Sequence, residues 1–229
     1  MTSTPRPTLI VPSVLPADFA NLGRDCVALE EAGVDRIQWD VMDGVFVPNL
    51  TFGPDVIAAC RPLVDVPFEA HIMAERPEEM LPRYIEEAGC EMIILHPETL
   101  GQPHRVYQQV KQMGAKLGIA LSPATPLTHV EHAIDLVDEI VLMTVNPGFG
   151  GQAYIASMEP KIRMTAEMIA ASGREIDLEV DGGISAATIA GAAGAGANVF
   201  ISGSALWTYD SFAEGVTDLR TRADAARGR

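Results

Sequence analysis

The sequence predicts an α/β fold, a single closed (β/α)8 barrel over residues 1–229. Three observations predict it. Short apolar strands alternate with amphipathic helices eight times, with no composition break or linker between them. Polar residues recur at the C-terminal ends of many different strands, and in a barrel those ends converge on one mouth. The first strand–helix turn, residues 12–19, lacks the glycine fingerprint that an open dinucleotide-binding sheet carries there.

The elements follow in order. Residues 8–14 read as the first strand. A helix over 18–32 places Leu22, Cys26 and Leu29 at helical spacing. Residues 37–42 form the second strand, and a helix over 54–60 opens on Pro54, a residue suited to a first turn. The third strand is 68–73, and its helix, 77–88, stops at Gly89. Strand 91–95 leads to a helix over 106–113, closed by Gly114. Strand 117–121 precedes a helix at 127–134. Strand 139–144 precedes a long helix at 158–171. Strand 177–180 with helix 186–193, then strand 199–202 with helix 212–225, complete the eight units. The closing Ala226-Arg227-Gly228-Arg229 is expected to fray.

The second strand is the most informative. It carries Gln38, Asp40 and Met42 at a period of two, so all three point to one face. Strands buried on both faces are apolar nearly throughout. A carboxylate inside one is costly unless it has a partner or a task.

Bulk properties narrow the function. A net charge of −15 disfavours nucleic acid and anionic membranes as partners. It leaves an anionic small molecule open, because backbone N–H groups can hold a phosphate without a basic patch. No apolar run is long enough to span a membrane, and residues 1–7 lack the order of a signal peptide, so a cytoplasmic protein is expected. Cys26, Cys60 and Cys90 are scattered and odd in number, which argues against a disulfide framework or zinc knuckle.

The strand ends supply Ser13, Asp40, His71, His96, Ser122, Asn146, Asp181 and Ser204. Asp40 and Asp181, on strands far apart around a barrel, could flank a small substrate as base and acid, with His71 nearby. His96 is read as a hydrogen-bonded core histidine. A second group is glycine-rich: Gly148, Phe149, Gly150 and Gly151 after the sixth strand, Gly182 and Gly183 after the seventh, Gly203 and Ser204 after the eighth. Such loops form anion-binding concavities, and those near strands seven and eight are the usual phosphate site of a barrel. A phosphorylated small molecule is therefore expected. Met42, Met73 and Met143 fall at matching strand-end depths, either as core packing or as a polarizable collar around an anionic intermediate.

These residues carry a resemblance. Pro12-Ser13-Val14-Leu15, Asp40-Val41-Met42-Asp43-Gly44, Phe46-Val47-Pro48-Asn49, His71-Ile72-Met73, His96-Pro97-Glu98, the run from Met143 to Gln152, Val180-Asp181-Gly182-Gly183 and Gly203-Ser204-Ala205 resemble the ribulose-phosphate 3-epimerase family from Pro12 to about Trp207. The resemblance implies a TIM barrel of the phosphate-binding type that interconverts D-ribulose 5-phosphate and D-xylulose 5-phosphate. It implies Asp40 and Asp181 as the acid–base pair, acting through a cis-enediolate. It implies a divalent metal ion (zinc, iron, manganese or magnesium) on Asp40, His71 and Asp181, acting as a Lewis acid. Ser13 would touch the substrate, and the glycine segments with Ser204 would hold its phosphate. A homo-oligomer is implied too, although no stripe of exposed apolar residues marks an interface.

One position departs. The family usually has histidine where Gln38 stands, as the fourth ligand. Glutamine offers a neutral amide oxygen, poorer for zinc than imidazole and better suited to harder cations. A weak fourth ligand, a shift toward Mg²⁺ or Mn²⁺, and loss of the metal all remain open at this point. So do a related substrate such as D-allulose 6-phosphate and a non-catalytic phosphosugar-binding barrel. A lyase is disfavoured. Such barrels usually need a strand-end lysine, and Lys116 starts its strand at the opposite end.

Overall fold

A computed structural model describes residues 6–228; residues 1–5 and Arg229 lie outside the described part. Eight strands form: β1 (Leu9–Pro12), β2 (Ile37–Met42), β3 (Phe68–Met73), β4 (Met92–Leu95), β5 (Lys116–Leu121), β6 (Glu139–Met143), β7 (Asp177–Asp181) and β8 (Val199–Ser202). Each lies parallel to its neighbours in the order β1-β8-β7-β6-β5-β4-β3-β2. The seam between β1 and β2 is joined at the top by the parallel bridge Ser13–Gln38 and by Val14 N–H donating to the Gln38 carbonyl at 3.2 Å. This is the TIM-barrel architecture.

Period-two alternation sorts the side chains. On β2, Ile37, Trp39 and Val41 face outward into the large apolar shell beneath the helices, and Trp39 is fully buried there. Each fully buried side chain of this kind contributes roughly 1.5–3 kcal/mol. Gln38, Asp40 and Met42 take the opposite face. Inside the barrel, Met92, Ile94, Ala120, Val141, Met143 and Val145 pack on one side, and Val11, Val199 and Ile201 on the other.

Among the described residues the α-helices are α1 (Leu22–Glu31), α2 (Pro54–Cys60), α3 (Pro103–Gln112), α4 (Thr128–Glu131), α5 (Glu159–Ser172), α6 (Ile189–Ala195) and α7 (Phe212–Ala226). Three expectations need correction. The helix expected over 77–88 is instead a 3-10 turn, Pro77–Glu79, followed by one π-helical turn, Arg83–Glu87. Pro82 stands between them, and a proline lacks the N–H that a continuous helix needs. The helix expected at 127–134 shrinks to α4; past it the chain continues in i→i+3 turns, Ala133 N–H to Val130 O and Leu136 N–H to Ala133 O, both 2.9 Å. Of the closing residues expected to fray, Arg229 lies outside the described part, and Arg227 is tied down. Arg227 donates to Thr8 Oγ1 at 2.8 Å and to the Arg6 carbonyl at 2.9 Å. Elsewhere the ends shift by a few residues: β1 stops at Pro12, and α6 starts at Ile189.

Candidate active site

Parallel register builds the site. It sets Asp40 beside His71 and Met42 beside Met73 across β2 and β3. Across β6 and β7 it sets Met143 beside Asp181. All of these face the barrel interior at its C-terminal mouth. There one cavity of about 810 Å³ opens, lined by Ser13, Asp40, Met42, Met73, Met143 and Asp181. The glycine loops complete the lining with Gly148 to Gly151, Gly182, Gly183, Gly203 and Ser204, and Phe149 stands among them. Among the described residues no lysine, arginine or histidine lines this cavity.

At its floor the two carboxylates converge. Asp40 Oδ1 and Asp181 Oδ2 each lie 3.2 Å from His71 Nδ1. Gln38 Nε2 bridges the same two oxygens, donating to Asp40 Oδ1 at 2.9 Å and to Asp181 Oδ2 at 3.1 Å. Ser13 Oγ donates to Asp40 Oδ2. One ligand atom each from Asp40, His71 and Asp181 lies within 4.8 Å of the other two, a spacing that fits a metal ion. Gln38 Oε1 is fully buried without a hydrogen-bond partner. An orphaned acceptor beside that triad suits a cation, since the amide can turn its oxygen toward the ion. The donor set of two carboxylates, one imidazole and one amide oxygen therefore fits a divalent metal. Gln38 and His71 sit behind the aspartates and do not line the cavity.

The electrostatics are strongly perturbed. Burial raises the Asp181 carboxyl, and the Asp40 charge raises it further, against His71 and Gln38, which lower it. For His71, burial works against the charged form. Hydrogen bonds and attraction to Asp181 and Asp40 outweigh it and raise the ring to about 9. Burial lowers His96 to about 4.

The glycine loops approach closely. Gly182, at φ +121°, and Gly183, at φ +68°, have backbone conformations that side chains rarely adopt. A Cβ on Gly182 would meet Val145 at 2.4 Å, and one on Gly183 would meet the Tyr154 backbone nitrogen at 2.6 Å. Thr144 locks this corner: its N–H donates to the Asp181 carbonyl at 2.7 Å and its Oγ1 to the Gly182 carbonyl at 2.6 Å.

Ser122 and Asn146, two of the expected strand-end polar residues, stay outside the cavity lining. Ser122 N–H donates to Glu98, and the Asn146 carbonyl accepts from Gln152. Sequence reasoning missed Tyr154, Ser185 and Thr188, which join the lining. It also missed the position of His96, whose Nε2 lies 2.9 Å from His71 Nε2. The period-two step from Met92 through Ile94 to His96, all facing inward, was the available signal.

The model of the ribulose-phosphate 3 epimerase family matches residues 9–207. Ribulose-phosphate 3-epimerase of Bacillus subtilis is 41% identical over 212 residues, covering 92% of this chain and 97% of its own. The chloroplastic ribulose-5-phosphate-3-epimerase of Arabidopsis thaliana is 42% identical over 214 residues, covering 93% of this chain and 76% of its own. Among solved structures, KGPDC from Streptococcus mutans superimposes with a TM-score of 0.69 at 13% identity, covering 96% of this chain and 98% of that one, a likeness of fold. A match over most of the barrel, with relatives above 40% identity across nearly the whole chain, makes this protein a member of the ribulose-phosphate 3-epimerase family.

Proposed function

We propose that the protein inverts C3 of a ketose phosphate, converting D-ribulose 5-phosphate to D-xylulose 5-phosphate by two-base proton transfer. The carrying observation is that Asp40 on β2 and Asp181 on β7 enter one cavity from different strands and meet at His71. Two carboxylates so placed can serve opposite faces of one carbon. Asp181, raised by burial, starts as the proton carrier. Asp40, aimed by the Ser13 and Gln38 donors, removes the C3 proton. The cis-enediolate then receives the Asp181 proton on the other face, and the roles exchange in the reverse direction.

Asp40, His71 and Asp181 would hold a divalent ion, with Gln38 Oε1 as the fourth ligand after its amide turns. When bound, that ion supplies Lewis-acid stabilisation of the developing enediolate charge. Met42, Met73 and Met143, each at most 4% exposed, surround the reacting carbons with polarizable apolar surface and exclude water. Backbone N–H groups of the glycine loops and the Ser204 hydroxyl would hold the phosphate, because among the described residues no basic side chain lines the cavity.

The three lysines give a Schiff-base lyase no nucleophile. Lys116 is exposed at the N-terminal end of β5, Lys111 pairs with Asp138 at 2.5 Å, and Lys161 donates to loop carbonyls. A cavity of about 810 Å³ leaves room for a six-carbon substrate, so D-allulose 6-phosphate is the second reading. Parallel turnover assays on the two phosphates decide between them. A kcat/KM at least tenfold higher on D-ribulose 5-phosphate is expected; the reverse order would assign the hexulose phosphate, and no turnover of either would leave a binding barrel.

A further inference from the structure

We propose that His96, with Glu98 behind it, is a positioning residue that fixes which nitrogen of His71 faces the ion. The proposal rests on the metal reading given above. Both histidines are fully buried. Their rings stack at 5.1 Å between centroids and 22° between planes, and the two Nε2 atoms lie 2.9 Å apart. At that distance one nitrogen must carry a proton and the other a lone pair.

A bound ion requires His71 neutral; with both rings neutral two arrangements satisfy this, and Glu98 selects one. If His71 Nε2 donates, neutral His96 carries its own proton on Nδ1, which lies 3.5 Å from Glu98 Oε2, an electrostatic contact longer than a hydrogen bond. His71 Nδ1 then offers its lone pair to the space between Asp40 and Asp181. If His96 Nε2 donates instead, its bare Nδ1 opposes a carboxylate, acceptor against acceptor. Neutral His71 would then carry its proton on Nδ1, in the middle of the ligand atoms. The first arrangement wins on both counts. A ligating histidine whose other nitrogen is held by an acceptor is the usual way a metal site fixes the tautomer.

That carboxylate is itself held firmly. Glu98 accepts from Ser122 N–H at 3.1 Å and from Thr125 Oγ1. That loop is gathered in turn by Lys161 of α5, whose Nζ donates to the Ser122 carbonyl at 3.1 Å, the Pro123 carbonyl at 3.3 Å and the Thr125 carbonyl. Phe46 closes the other side, 5.1 Å from the His96 ring. One continuous line thus runs from the ligand atom of β3 through His96 and Glu98 to α5.

Calorimetric titration of metal-stripped wild type, His96→Phe and His96→Gln with Zn²⁺ and Mn²⁺ tests this. His96→Phe keeps the ring shape and removes the acceptor; it should weaken metal binding about 10–100-fold and lower kcat with KM unchanged. His96→Gln, whose amide oxygen can accept from His71, should recover most of the loss. Nitrogen-15 spectra of Zn²⁺-loaded wild type should show His71 protonated at Nε2 and His96 at Nδ1, a readout independent of whether either variant folds. Unchanged affinity in His96→Phe, or the opposite tautomers in wild type, overturns the positioning role alone. A wild type that binds neither ion overturns the metal reading and this proposal together.

Discussion

At the base of the barrel Glu69, Glu139 and Glu179 bring carboxylate oxygens within 4.8 Å of one another, as close as the ligand atoms of Asp40, His71 and Asp181 at the mouth. Both groups stand on inward-facing positions of the same strands or their neighbours. Glu69 lies two residues before His71 on β3, and Glu179 two before Asp181 on β7. The base is sealed and neutralised internally. Arg36 donates to Glu139 at 2.6 Å, to Glu69 at 2.9 Å and to Asp177 at 3.1 Å. Burial pushes Glu139 up to about 8. Glu179, with neither oxygen partnered, is raised well above the usual carboxylate range. Among the described residues no lysine or arginine lines the mouth cavity. On the proposed mechanism the groups of the mouth exchange a proton or turn toward an ion, and the mouth opens on a cavity. A guanidinium cannot be deprotonated in a protein, and none of Glu69, Glu139 and Glu179 lines the cavity, so protons held at the base have no path to a substrate there. On the proposed function that contrast separates a structural carboxylate cluster from a reactive one.

The comparison breaks most visibly at the mouth. Asp40→Asn and Asp181→Asn should each cut kcat by roughly 10²–10⁴-fold with melting temperature near wild type, measured by turnover and thermal unfolding. Near-full activity in either would remove the two-base scheme. The base should behave in the opposite sense. Arg36→Met leaves buried carboxylates without their cation and should cost about 3–5 kcal/mol in urea unfolding, while kcat of the folded protein holds. A stable but inactive Arg36→Met would erase the distinction between the two ends.

A pH titration of stability samples both ends at once. In the metal-free protein the His71 contribution is fully present below its ordinary 6.5 and lost as pH rises through about 9. The Glu139 contribution is present below its ordinary 4.5 and lost through about 8. Melting temperature in chelator should therefore fall between pH 6.5 and 9; a flat or rising profile would contradict both assignments. The smallest effect concerns Gln38. Replacing its amide with imidazole, Gln38→His, should raise Zn²⁺ affinity roughly tenfold, or about 1.4 kcal/mol, in a metal competition assay. An unchanged titration would take Gln38 out of the ligand set.

Much of this was legible in the residues. The eight units, the period-two run Gln38-Asp40-Met42 and the glycine loops on three successive strands all reported local pattern, and the barrel kept them. What stayed hidden depends on closure. Arg36 precedes β2 by one residue, and nothing local says that it meets Glu69, Glu139 and Asp177 from three other strands. His96 reads alone as a core histidine until β3 and β4 pair and set its ring on His71. The broken third crossover was legible in principle, since Pro82 sits inside the apolar pattern that predicts one helix.

The central claim is that two different residues move the proton at C3. Turnover of D-ribulose 5-phosphate in deuterated water tests it directly. The D-xylulose 5-phosphate formed in the first turnovers should carry solvent deuterium at C3, because the returning proton comes from a second residue equilibrated with solvent. Product that keeps its original proton at C3, or no exchange in the presence of each candidate metal, would contradict the account.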